Sequence, residues 1–139
     1  MRGRGVVCGR RFFESEFMSH LVALVGHCEV DGPRLKREIS AGLPGTEVVR
    51  INTMGDLERT LEEGVDLLLV NREPVGFEEE GVELIREVLE AHPAAKVMLV
   101  SNKAEAQEEA VKAGAMEGFG KKLMGTPELL VEVERGLEG

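Results

Sequence analysis

The sequence predicts a doubly wound α/β domain: a five-stranded parallel sheet in the order 2-1-3-4-5, with helices on both faces. Three observations carry this. Apolar runs of strand length alternate with helical segments five times between Leu21 and the end of the chain. The most apolar of them, VDLLLV (65–70), has no polar alternation, as a parallel strand covered on both faces requires. Glycines recur after the helical segments, at Gly42, Gly64, Gly114 and Gly136, where a left-handed C-terminal cap favours them.

The elements follow in order. LVALV (21–25) is the first strand and leads into GHCEVDGP, with Pro33 placed to open a helix whose inner face holds Leu35 and Ile39. Gly42, Pro44 and Gly45 stop that helix. EVVRIN (47–52) alternates loosely and reads as a second, less buried strand. Thr53 or Asp56 caps the next helix, which runs to Glu63 and ends at Gly64. VDLLLV is the third strand. After the loop REPVGFEEEG comes the helix GVELIREVLEAH, with Val82, Ile85, Val88 and Leu89 as its inward stripe. KVMLVS (96–101) is the fourth strand. KAEAQEEAVKAG is an alanine-rich helix with Ala106, Ala110 and Val111 or Ala113 inward. A weak fifth strand centres on Phe119, and Pro127 opens a last helix with Leu130, Val133 and Leu137 facing in.

Composition narrows the function classes. A chain of 139 residues, 42% hydrophobic and 31% charged, suits one globular core. A net charge of −9 opposes binding to nucleic acid or to anionic membranes. No apolar stretch approaches the roughly 20 residues needed to span a bilayer. Cys8 and Cys28 are the two cysteines, without a CxxC spacing or a metal cluster, which points to a reduced, cytoplasmic setting. Residues 1–17 carry four arginines and no lysine, with no strand or helix period. They read as a flexible N-terminal extension to a domain spanning 18–139, with a basic electrostatic tether as the alternative.

In a doubly wound sheet, ligands bind beyond the carboxyl ends of the strands, so those loops carry the functional argument. The loop after the first strand fits neither GxGxxG nor GxxxxGK[ST], and it lacks the hydroxyl residues of a flavin-phosphate site. No DxD, GxSxG or HExxH occurs. The common enzymes of this architecture are unsupported, and no cofactor is expected.

One set of loop residues matches a known family in order. The third strand ends at Asn71, followed by Pro74 and a helix start at Gly81-Val82-Glu83-Leu84. The fourth strand ends in Ser101. Gly114-Ala115 then leads through the fifth strand to Lys121. From Leu21 onward the chain resembles the response-regulator receiver domains, the CheY-like family with a flavodoxin-like fold, which serve bacterial two-component signal transduction. The resemblance implies that position 71 is the phosphoacceptor, that Ser101 and Lys121 contact the phosphoryl group, and that Mg²⁺ is held by two acids after the first strand.

The departures are chemical. Asn71 stands where the family keeps an aspartate, and a neutral carboxamide is a poor nucleophile. His27 and Cys28, or Gly26 and His27 in the neighbouring register, replace the acidic pair that a hard cation needs. Glu29 and Asp31 lie nearby, and restore one carboxylate at most. Gly118 occupies the usual place of a switching aromatic, with Phe119 directed to the opposite face, and Lys122 replaces a proline. Asn71 either mimics one signalling state or satisfies its own polar atoms in a decayed site. Lys121 is expected to pair with Glu29 or Asp31 across the pocket.

The expected function is therefore that of a pseudo-receiver: a phosphorylation-independent protein-protein interaction module, not an enzyme, with no metal. The alternatives are a phosphoryl-accepting switch using Ser101 or Asp31, and a small-molecule sensor reusing the pocket. The expected output surface comprises the fourth helix, fifth strand and fifth helix, with Ala106, Ala110, Met116, Phe119, Leu123 and Met124. Its partner is a protein, with a homodimer as one form.

Overall fold

The computed structural model describes residues 19–139, and the N-terminal extension expected over 1–17 lies outside the described residues. Five strands form one parallel sheet: β1 (His20–Val25), β2 (Thr46–Ile51), β3 (Leu67–Asn71), β4 (Val97–Val100) and β5 (Met116–Phe119). Their order is β2-β1-β3-β4-β5, as the sequence predicts. The helices are α1 (Asp31–Gly42), α2 (Met54–Glu63), α3 (Gly81–Ala91), α4 (Ala104–Lys112) and α5 (Pro127–Glu138).

Successive side chains of a strand point to opposite faces, and the sheet sorts its apolar residues into two cores accordingly. Val22, Leu24, Leu67 and Leu69 pack with Leu35 and Ile39 of α1 and with Leu129 and Val133 of α5. Ala23, Val25, Leu68 and Val70 pack with Leu57 of α2, Ile85 and Val88 of α3, and Ala110 of α4. All five residues of β3 are buried, which is why its sequence reads as a continuous apolar run. The strand begins at Leu67, later than expected; the preceding Asp66 accepts the Leu21 N–H on its carboxylate at 2.7 Å and donates its own N–H to Leu21 O at 2.9 Å.

Several details differ from the sequence expectation. Pro33 is the third residue of α1, since the helix starts at Asp31. A proline fits anywhere in the first turn, where the N–H it lacks has no intrahelical partner. Thr53 is the cap of α2, accepting the Asp56 N–H at 3.1 Å. On α3, Leu84 joins the buried face and Leu89 is only half-buried. On α4, Val111 is exposed and Ala113 packs inward. On α5, Val133 and Leu137 are buried as expected, but Leu129 is buried in place of Leu130, which lies over Gly42.

Gly64 and Gly114 have positive φ and end their helices, but Gly42 and Gly136 lie within helices. Gly136 serves close approach: a Cβ there would stand 2.8 Å from Leu67 and Met98 side-chain carbons. The α5 backbone can therefore rest against the sheet.

The β4–β5 ladder is irregular between Met98 and Val100. Gln107 of α4 fills the break with its amide. Its Nε2 donates to the carbonyls of Leu99 (3.0 Å), Ser101 (3.0 Å) and Phe119 (3.3 Å), and its Oε1 accepts the Gly118 N–H at 3.2 Å. A side chain at position 118 would collide with the Leu99 carbonyl, which accounts for glycine there. Phe119 turns the other way, into the core shared with α1 and α5.

Candidate functional site at the carboxyl edge

β1, β3 and β4 end side by side, and their following loops form a pocket of about 390 Å³. It is lined by Cys28, Asn71, Arg72, Glu73, Val75, Val100, Ser101, Asn102, Lys103 and Lys121. Asn71 leaves β3 buried at 6% exposure. Its Nδ2 donates to Gly26 O at 3.0 Å and to Glu73 O at 3.1 Å. Gly26 O also accepts the Val75 N–H at 2.8 Å, so the amide helps tie the β1 and β3 loops together.

Ser101 is buried, and its Oγ accepts the Lys103 N–H at 3.1 Å, which forms the turn into α4. Lys121 Nζ lies 3.1 Å from Asp31 Oδ2, both groups partly exposed. Cys28 Sγ accepts the Asp31 N–H at 3.3 Å. Arg72 contacts the exposed Glu73 carboxylate at 3.5 Å. Lys103 makes no ion pair among the described residues.

The pocket thus gathers Asn71, Ser101, Lys121 and Cys28, with Asp31 joined through Lys121. Two of the residues expected there lie elsewhere. Glu29 points its carboxylate to solvent and meets Arg50 at 3.3 Å, because the exposed start of α1 carries it outward. His27 is buried at 1% exposure and its Nε2 reaches back to Leu69 O at 2.9 Å, so it does not line the pocket. Burial, chiefly, lowers the His27 pKa to about 4, with the Leu69 hydrogen bond acting in the opposite direction. The imidazole is neutral at pH 7, and Nδ1 has no hydrogen-bond partner.

Six lining residues were not anticipated from sequence: Arg72, Glu73, Val75, Val100, Asn102 and Lys103. The signal was present, since Arg72 follows Asn71 directly and Lys103 stands two residues after Ser101. Gln107 carried no signal, because a glutamine on an exposed-looking helix has no distinctive pattern.

Of the expected output surface, Ala110, Phe119 and Met124 are core residues, and Ala106, Met116 and Leu123 are half-buried. In the fold these few apolar groups are what attach α4 and β5 to the sheet.

The donor set does not suit a divalent cation. The one acidic side chain in the lining is Glu73, which is largely exposed and contacts Arg72. No group of three or more His, Cys, Asp or Glu residues is positioned to hold a metal among the described residues. Arg72, Lys103 and Lys121 give the lining an excess of positive charge, the wrong sign for Mg²⁺.

The amide of Asn71 also matters for stability. Replacing it by aspartate turns a donor facing two carbonyl oxygens into an acceptor. Asn71→Asp is expected to lose about 2 kcal/mol at neutral pH. The deficit should shrink in acid, where a protonated carboxyl regains a donor. Denaturant unfolding of both proteins checks this, and an aspartate variant as stable as the parent at neutral pH would contradict it.

The sheet order, the buried β3 and the pocket beyond it are those of a doubly wound α/β fold, the architecture that receiver domains share. No family model and no curated protein matches the sequence. Solved structures do match the fold. A response regulator from Thermotoga maritima is 22% identical with a TM-score of 0.73, covering 88% of this chain and 100% of that one. The receiver domain of NtrX from Brucella abortus is 22% identical with a TM-score of 0.70, covering 85% and 98%. An orphan response regulator of H. pylori is 19% identical with a TM-score of 0.68, covering 86% and 97%. The chain has the receiver fold. No helix among the described residues is long and apolar enough to cross a membrane.

Proposed function

We propose that this protein is a pseudo-receiver, a receiver-fold interaction module that signals without being phosphorylated. The observation that carries the proposal is the chemistry at the end of β3. The residue there is a carboxamide whose nitrogen is engaged by Gly26 O and Glu73 O, in a pocket whose lining is cationic. An acyl phosphate needs a carboxylate nucleophile, and Asn71 supplies none. Glu73, the one acid in the lining, is largely exposed and contacts Arg72, Asp31 is held by Lys121, and Ser101 offers a hydroxyl rather than a carboxylate.

The output face is formed by α4, β5 and α5, with Val111 exposed beside Gln107, Lys112 and Glu117. Its partner is a protein, and self-association is the part of the proposal that sedimentation tests. A monomer at every concentration removes it.

Incubation with acetyl phosphate and Mg²⁺, followed by intact-mass measurement, tests the central claim. No adduct is expected for the wild type, nor for Asn71→Asp, whose pocket still lacks the acids that would hold the cation. A stoichiometric phosphoryl adduct on the wild type would overturn the proposal.

A further inference from the structure

The pocket at the carboxyl edge is cationic in a chain whose net charge is −9. Lys103 has no ion-pair partner among the described residues, and Lys121 and Arg72 hold theirs only at partly exposed positions, 3.1 and 3.5 Å away. The Ser101 oxygen accepts the Lys103 N–H, which leaves its O–H free to donate into the pocket. The lining also includes one exposed apolar side chain, Val75, at 49% exposure. Cationic donors beside an exposed valine in one lining suit an acidic side chain presented by a protein surface, rather than a free ion surrounded by water.

We propose that the pocket receives an aspartate or glutamate side chain of the partner protein, directly and without a divalent cation. The incoming carboxylate accepts from Lys103, Lys121 and the Ser101 hydroxyl, and Arg72 balances its charge from the rim. It supplies from outside the negative group that Asn71 does not provide. Val75 contacts an apolar residue that flanks it. This inference rests on the pseudo-receiver reading and assigns that reading a contact surface separate from the α4–β5–α5 face.

The test is a titration of amide NMR signals with the capped peptide Ac-Val-Asp-Leu-NH₂ in the presence of EDTA. Its asparagine counterpart and inorganic phosphate serve as the other arms, at matched ionic strength. Saturable shifts at Ser101, Asn102 and Lys103 are expected with the aspartate peptide and not with the asparagine peptide. Lys103→Ala, at an exposed site, should weaken the binding about five-fold. Equal responses to the two peptides, no saturable shift, or tighter binding of phosphate than of the aspartate peptide would each overturn the inference. The acetyl phosphate experiment fails independently: an adduct removes the pseudo-receiver reading, whereas a failed titration without an adduct removes only this contact.

Discussion

Lowering the pH from about 7.5 to about 5 is expected to remove about 2 kcal/mol of folding stability through His27 alone. The buried ring has a pKa of about 4 in the folded protein, against 6.5 for an imidazole in water. Between those values the unfolded chain binds more protons than the native one. Stability is therefore complete above 6.5, falls as the pH drops through the window, and levels off below about 4, after a total loss of about 3 kcal/mol. The cause is desolvation first. Lys121 and Arg50 add to it, while Asp31 and the Leu69 carbonyl oppose it. His27→Leu removes the slope in this window, at the expense of the hydrogen bond to Leu69 O. Denaturant unfolding across the pH range checks this. Parallel stability curves for the two proteins between pH 7 and 5 would refute it.

Gln107→Ala is the second large effect, expected to cost about 3 kcal/mol because one amide serves four backbone groups at the β4–β5 break. The alanine variant leaves the Gly118 N–H without the acceptor that now holds it. Hydrogen exchange at Gly118 should accelerate along with the loss of stability. Gln107→Glu should be more damaging still, since a carboxylate cannot donate and would face three carbonyl oxygens. A Gln107→Ala protein within about 0.5 kcal/mol of wild type, with unchanged exchange at Gly118, would show that the ladder closes without it.

The two residues play opposite parts in the candidate site. His27 sits behind the pocket and keeps a neutral ring in the core, which ties the foot of the β1 loop to β3. Gln107 stands on the far side and joins α4 to β4 and to the edge strand β5. With Asn71 linking the β1 and β3 loops, three uncharged side chains brace this end of the sheet.

The sequence by itself determined the sheet, its order and the residue that ends β3. The reason is periodicity: an unbroken apolar run marks a strand buried on both faces, and helical stripes such as Leu35 with Ile39 mark what covers it. The place of Asn71, Ser101 and Lys121 at strand ends was legible for the same reason. What only the tertiary structure decided was direction. Glu29 and Asp31 are two residues apart, yet one faces solvent with Arg50 and the other meets Lys121. Ala110, Phe119 and Met124 looked available for contact and are core, because weakly apolar elements still bury what little apolar surface they have. Gln107 gave no pattern, since its partners are carbonyls of residues brought to it by the break in the ladder. Hydrogen bonds between a side chain and a distant backbone depend on how strands end in space, and that is set by packing rather than by spacing along the chain.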